Sequence, residues 1–406
     1  GLGADISYFV PNRFEHGYGL QESVINDMLK SFPDTNVIIT VDNGIASIAG
    51  VDYANSKNID VVVTDHHLEG NDRPNAICIV NPNQKKCEFP SKALAGCGVA
   101  FYTITALYDK FIKESVSVNS FKPIQLVDYL AIGTVADVVS LDENNRLIVN
   151  MGLKQIHKGK ANVGVRALLE VLEIPEDKLT SVDIGFRIGP VLNAAGRLQD
   201  MSKGINLLLE TNYEVALKKA VDLLGINKAR KDIEKNMKEE ALSTLEENLS
   251  KGKTEKNNYS CIVANENFHE GIIGIVASRI KDLVYLPTIV FADGEEGQLK
   301  GSGRSVEGLN LKDALDYVYK LHPESMARFG GHAMAAGVTI YKDKLDVFQS
   351  AFNDACAEMF NYIPPVKIEE VDEELDISSV SLKDAEELSK QVWGQHFKEP
   401  LFYAKF

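Results

Sequence analysis

The sequence predicts a multidomain α/β protein whose first part is built on a mainly parallel sheet. Short β-branched runs alternate with longer helical patterns from residue 1 to about 200, and strands separated by helical stretches imply βαβ units. At 406 residues the chain is too long for one compact core, so about two or three domains are expected. Hydrophobic residues make up 45% and charged residues 25%, an ordinary globular balance, and no run of about 18 apolar residues is present to span a bilayer.

In chain order, ISYFV at 6–10 reads as a strand, Glu22 to Phe32 as a helix, NVIITVDNG as a strand, Ile48 to Lys57 as a helix and IDVVVTDHH as a strand. From Gly204 to Lys251 strand signals fall away. Leu207, Leu208, Ala216, Ala220, Leu223 and Leu224 form a partial apolar stripe there, which predicts a long helical connector. The polar KGKTEKNN at 251–258 reads as a loop, after which YSCIVANE and PTIVFAD resume as strands of a second α/β unit. Beyond Ile363-Pro364-Pro365 the composition turns acidic, KIEEVDEELDISS, and a mostly β segment is expected. The expected divisions are 1–203, 204–255, 256–362 and 363–406. The chain opens GLGADISYFVPNR without an initiating Met and closes EPLFYAKF on strand-like residues, so both ends read as truncated and no signal-peptide reading is made.

A formal charge of −15 argues against a protein that coats nucleic acid, although an acidic chain can still carry a local basic groove. Five cysteines, odd in number and without C-x-x-C spacing, indicate neither a disulfide framework nor a zinc site, and a reducing cytoplasm fits best.

Three apolar runs of the first domain end in groups that carry chemistry: Asp42 in ITVDNG, Asp65-His66-His67 in VVVTDHH, and Asp137 in IGTVADVVSL. Each is read as a strand end, and a parallel sheet gathers its carboxyl ends along one edge, where ligands bind. Carboxylates with one or two imidazoles suit Mn²⁺ or Mg²⁺. Two such ions about 3.5–4 Å apart activate water and stabilise a leaving oxygen in phosphodiester hydrolysis. Taken singly, Asp42 and Asp137 read equally well as turn formers or helix caps. Asp-His-His at the edge of a core is harder to explain that way, because three polar groups there are costly unless coordinated or hydrogen-bonded.

The second α/β unit contains Gly301-Ser302-Gly303-Arg304-Ser305 and Gly330-Gly331-His332-Ala333-Met334-Ala335-Ala336-Gly337. Small residues let a phosphate backbone approach the main chain, and Arg304 and His332 add charge-assisted hydrogen bonds. The alternative is a helix packed through Gly and Ala and capped by His332. Arg279 lies on a predicted helix, where a surface salt bridge is its ordinary role. Arg197 either binds phosphate or pairs with a carboxylate such as Asp200. Asn12 and Arg13 are candidates for substrate contact.

The triplet Asp65-His66-His67, with VDNG before it and GTVADVVSL after it, resembles the DHH phosphoesterase superfamily. YFVPNRFEHGYGL, LAGCGVAF, LNAAGRL, GIIGIVASRI and GGHAMAAG together resemble RecJ-type single-strand DNA exonucleases across nearly the whole chain. The resemblance implies a DHH catalytic domain, a DHHA1 substrate-binding domain at 256–362 and the start of an OB-like nucleic-acid-binding domain at 363–406. It implies that Asp42 bridges two metal ions, Mn²⁺ or Mg²⁺, that His66 and Asp137 ligate one of them, and that Asp65 and His67 support the ligands or contact substrate phosphate, Asp65 being also a candidate ligand. It gives Arg197, Arg279, Ser302, Arg304, Gly330, Gly331 and His332 to the substrate. Two departures stand out: no acidic D-x-D-G turn precedes Ile6, and WGQHFKEP replaces a Pro-Phe-Gly-x-Gly-Asn-Pro-like turn.

The expected activity is therefore 5′→3′ hydrolysis of single-stranded DNA to mononucleotides, in recombination and repair, by a cytoplasmic monomer served by single-strand binding protein and a helicase. Single-strand preference is expected from a narrow passage between the catalytic domain and the 259–341 unit, with the helical connector fixing the distance between them. Two rivals are a DHH oligoribonuclease or cyclic-dinucleotide phosphodiesterase, which would prefer very short substrates, and a replication scaffold without catalysis.

Overall fold

The computed structural model of the chain describes residues 2–11, 16, 19–118, 121–250, 258–295 and 297–405. They form two compact units: Gly1–Ile226 with Val371–Phe406, and Asn227–Glu370.

The β-branched runs of the first unit become β1 (Val37–Val41), β2 (Asp60–Thr64) and β3 (Cys78–Val80), all parallel and in that order. Helices α1 (Glu22–Ser31) and α2 (Ile48–Ser56) supply Ile25, Val51 and Ala54, which pack with Ile38, Val61 and Val63 of the strands. Val41 pairs with Thr64 as the last residues of β1 and β2. Asp42 and Asp65 therefore leave the sheet from the same edge.

Most of the remaining first unit is helical: α3 (Gly96–Lys113), α4 (Val127–Ala136), α5 (Glu143–His157), α6 (Val163–Val171), α7 (Gly189–Leu198), α8 (Ser202–Leu208) and the start of α9 (Tyr213–Ser250). Their apolar faces close a core containing Ile156, Leu168, Leu169, Ile188 and Leu207, which also takes in Val392 from the tail. The predicted connector is thus α8 and α9, and the border between units falls inside α9.

In the second unit β4 (Cys261–Ala264) and β5 (Thr288–Asp293) run parallel, while β6 (Gln298–Arg304), β7 (Met326–Gly331) and β8 (Ala335–Tyr341) extend the sheet antiparallel in the order β4-β5-β6-β8-β7. Helix α10 (Ile273–Val284) precedes β5, and α11 (Leu311–Leu321) and α12 (Leu345–Met359) supply Leu315, Phe348 and Phe352 to a core with Ile289, Phe291 and Val338. Gly301 of β6 is required here, since a Cβ would lie 2.4 Å from the Phe291 ring.

Three expectations are corrected. ISYFV is not a strand: Ile6 is 74% exposed, and among the described residues no ladder partner reaches this segment, so its β propensity has nothing to pair with. Asp137 does not end a strand but caps the C-terminus of α4. That helix buries Val127, Leu130, Ala131, Ile132 and Thr134, and a helix apolar on most sides gives the same short hydrophobic run as a buried strand. The acidic tail expected to begin an OB-like β segment instead holds two two-residue strands, β9 (Glu373–Glu374) and β10 (Phe402–Tyr403), with helix α13 (Leu382–Ser389) between them. Its charged run lacks the apolar alternation that an additional sheet needs, and β9 and β10 are exposed.

Candidate active site

β1 hands directly into a tight turn. The Asp42 main-chain N–H still donates to the Thr64 carbonyl at 3.0 Å, after which Asp42 and Gly44 take left-handed backbone angles of φ 66° and 115°. Asp and Gly tolerate that region better than other residues, which is why DNG suits the position. Thr40 Oγ1 donates to the Asn43 carbonyl at 2.6 Å and closes the turn.

At the end of β2 the three residues of the DHH triplet take different roles. Asp65 is 1% exposed, and both of its oxygens are occupied. Oδ1 accepts from the His66 N–H at 2.7 Å, the His67 N–H at 3.2 Å and the His67 ring at 2.7 Å, while Oδ2 accepts from the Ile45 N–H at 2.9 Å. Burial works to raise its pKa, but these hydrogen bonds outweigh it and hold the carboxyl at about 2. Asp65 therefore organises the triplet from behind, holding the main chain of His66 and His67 and the ring of His67. His67 gains basicity from its bond to Asp65.

His66 is the centre of the cluster. Its Nε2 lies 2.9 Å from Asp42 Oδ1 and 3.6 Å from Asp137 Oδ2, and Asp42, His66 and His67 have ligand atoms all within 4.8 Å of one another. The His66 pKa is raised, chiefly by the hydrogen bond to Asp42. Asp137 arrives from α4 rather than from a strand, and the next residue, Val138, sits at φ 59°. A β-branched residue in that region stores strain on the order of 1–3 kcal/mol, here immediately beside a site residue.

Gly96, the first residue of α3, packs against Asp42: a Cβ there would lie 2.5 Å from both Cβ and Oδ1 of Asp42. Cys97 is a packing residue beneath the cluster, its thiol pushed up to about 12 by burial and then by the Asp137 charge, and Gly133 of α4 makes room for its sulfur.

This donor set fits a divalent cation. Burial, and next the Asp42 charge, push the Asp137 carboxyl up to about 6 against the pull of His66 and His67. Asp42 and Asp137 keep 49% and 35% of their side-chain surface open. Oxygen and imidazole donors of this kind suit Mn²⁺ or Mg²⁺.

In the second unit Ser302 pairs in register with Gly337 of β8, which pairs with Gly330 of β7, so three neighbouring strands present a strip almost bare of side chains. Arg304, two residues along β6, donates to Ser302 Oγ at 3.1 Å and to the Gly303 carbonyl at 2.8 Å, and burial lowers its pKa. Among the described residues no carboxylate forms an ion pair with it. A Cβ on Gly274, in the first turn of α10, would touch both Arg304 and Ser302 at 2.9 Å, so glycine keeps this corner open. The alternative of a Gly/Ala helix is excluded, because Gly330-Gly331 ends β7, His332 is exposed in the hairpin, and Gly331 at φ 150° leaves no room for a Cβ. Arg279 takes its ordinary role, an ion pair with Glu234 at 3.1 Å. Arg197 lies half-buried near the end of α7, while Asp200 accepts from Ser202. Asn12 and Arg13 lie outside the described residues.

The sequence reading missed two asparagines. Asn81 Nδ2 donates to the His67 carbonyl at 2.9 Å and Asn83 Nδ2 to the His66 carbonyl at 2.5 Å, with the Asn83 N–H donating to Asn81 Oδ1 at 2.7 Å. The signal was the pair of asparagines in VNPNQ just past β3, on the same sheet edge. Asn81→Ala is expected to weaken Mn²⁺ binding by about 10–100-fold, the usual cost of losing an outer hydrogen bond at a metal site, readable by calorimetry.

The DHH family N-terminal domain model matches residues 2–134 and the DHHA1 domain model residues 258–358. The chain is 45% identical over 413 aligned positions to the single-stranded-DNA-specific exonuclease RecJ of Salmonella typhimurium, covering 100% of this chain and 70% of that protein. Its structure is similar to RecJ from Thermus thermophilus in complex with Mn²⁺ (TM-score 0.78, 26% identity, 94% of this chain and 53% of the other). The same holds for that protein in complex with Mg²⁺ (TM-score 0.70, 27% identity, 90% and 50%). The chain belongs to the RecJ family of single-stranded-DNA-specific exonucleases.

Proposed function

We propose that this chain is a divalent-metal-dependent exonuclease that degrades single-stranded DNA from a 5′ end and releases mononucleotides. The observation that carries the reading is the convergence of Asp42 and Asp137 on His66 Nε2 at 2.9 and 3.6 Å, in a chain 45% identical to a RecJ exonuclease. Asp42, His66 and Asp137 would hold the metal, Mn²⁺ or Mg²⁺. When bound, such ions activate water and neutralise charge developing on phosphate oxygens.

The chain's own residues do the rest. Asp65 fixes the ring of His67 through Nδ1 and, by raising its pKa, favours the protonated form. A protonated His67, 51% exposed, offers its other ring nitrogen to a substrate phosphate. Arg304 and the Ser302–Gly337–Gly330 strip suit a DNA backbone without reading bases, since they bring charge and small residues but no array of donors for base edges.

The same reading places the protein in DNA recombination and repair in the cytoplasm, acting as a monomer on strands delivered by a helicase and single-strand binding protein. Among the described residues no helix is long and apolar enough to cross a membrane.

The test compares linear single strands labelled at the 5′ end, a circular single strand, a duplex and a dinucleotide RNA, with Mn²⁺. Stepwise release of labelled mononucleotide from the linear single strand only is expected. Equal cutting of the circle would contradict the need for an end, a preference for the dinucleotide would favour the oligonucleotide phosphodiesterase, and no hydrolysis of any substrate would favour the scaffold.

A further inference from the structure

Two chain segments far apart in sequence form walls of the cluster. Residues 91–96 lead into α3 and carry Leu94, whose main chain hydrogen-bonds His66, and Gly96, packed on Asp42. Residues 137–141 carry Asp137 and pass through the left-handed Val138 before α5 begins. Neither stretch between these points and its neighbouring helix is regular, so something else must fix their separation.

We propose that Asn145, with Ser91 and Asp142, forms a buried latch that sets this separation, and that Asn145 is a positioning residue for the metal ligands. Asn145 is wholly buried. Both protons of its amide are used: Nδ2 donates to the Ala93 carbonyl at 2.7 Å and to the Ser140 carbonyl at 2.8 Å. One side chain thus bridges the residue three before Gly96 to the residue three after Asp137. Asp142, the N-cap of α5, adds a second bridge, accepting from the Asn145 N–H at 2.9 Å with Oδ1 and from Ser91 Oγ at 2.6 Å with Oδ2. Capping α5 needs only the bond from Asp142 to the Asn145 main chain. The Asn145 side chain serves carbonyls outside the helix, and its Oδ1 has no partner among the described residues, so the amide is used there for its two donors. The far end of the Asp137 loop is held separately, where the Leu141 N–H donates to the Gln395 carbonyl at 2.9 Å.

This inference rests on the metal-site reading, and the experiment separates the two. Mn²⁺ affinity of the 406-residue chain is measured by electron paramagnetic resonance of the free ion for wild type, Asp137→Ala, Asn145→Ala and Ser91→Ala, with thermal unfolding recorded for each. The latch predicts that folded Asn145→Ala binds Mn²⁺ at least about 10-fold more weakly, and Ser91→Ala more weakly in smaller degree. A purely structural role would lower unfolding temperature and leave affinity alone. Should Asn145→Ala not fold, Ser91→Ala decides, because it removes one hydroxyl and little packing. If Asp137→Ala weakens binding but the folded latch variants bind as tightly as wild type, the latch is wrong and the metal site stands. If wild type binds no Mn²⁺, or Asp137→Ala binds as wild type does, both fall.

Discussion

His66→Ala is expected to reduce kcat/KM on single-stranded DNA by at least about 10²-fold, no less than the loss that follows removal of an outer hydrogen bond at a metal site. The reason lies in the charge arrangement. His66 is the group on which Asp42 and Asp137 converge, its Nε2 lying between the two carboxylates. Without it, Asp42 and Asp137 lose the imidazole on which they converge, and Asp137, whose proton affinity burial and then the Asp42 charge already raise, loses a group that offsets both. The fold should survive, because the imidazole is not part of the apolar core beneath β2 and the Asp65 bonds to the main chain remain. Single-turnover rates at saturating Mn²⁺, beside an unfolding curve, check this. A variant with wild-type rate would remove His66 from the centre of the site.

The second large effect is expected from Gly96→Ala. A methyl group there collides with Asp42 at 2.5 Å, a distance that real Cβ contacts do not show, and the crowded atoms include the carboxylate itself. Relief requires Asp42 or the start of α3 to shift, and a displacement of about 1 Å in a catalytic arrangement can cost about 10²-fold in rate. Gly96 has no positive φ and begins a helix, where alanine is favoured over glycine by up to about 1 kcal/mol, so backbone strain is not the cause. Activity should therefore collapse while the unfolding temperature changes little. Gly225→Ala is the control, since a Cβ at that helical position meets nothing within 4 Å.

The parts of this fold legible in the sequence are those written in local pattern. NVIITV and IDVVVT each run from β-branched residues into a polar tip, and both became strands whose ends deliver Asp42 and the DHH triplet to one edge. Periodicity failed where burial hid it. Asp137 was assigned to the right cluster by the strand-end argument but on the wrong element, because α4 is surrounded by core and its sequence has no polar face to betray a helix. ISYFV failed for the opposite reason, since a strand is a relation between segments and its propensity alone supplies no partner. The GGHAMAAG run could not be assigned from glycine content alone. The left-handed Gly331 and the Gly330–Gly337 pairing resolve it as a hairpin. Asn145 was invisible because one of its acceptors, the Ala93 carbonyl, lies 52 residues away and nothing local marks that role, whereas Asn81 and Asn83 left only the paired asparagines of VNPNQ.

The central claim is that a metal held by Asp42, His66 and Asp137 drives hydrolysis of single-stranded DNA. Its most direct measurement is nucleotide release from a 5′-labelled single strand by metal-stripped protein, titrated with Mn²⁺, for wild type and Asp137→Ala. The account predicts no release without metal, full recovery on titration for wild type, and no recovery for the variant at the same concentrations. Release by the metal-stripped protein, or equal recovery by Asp137→Ala, would contradict it.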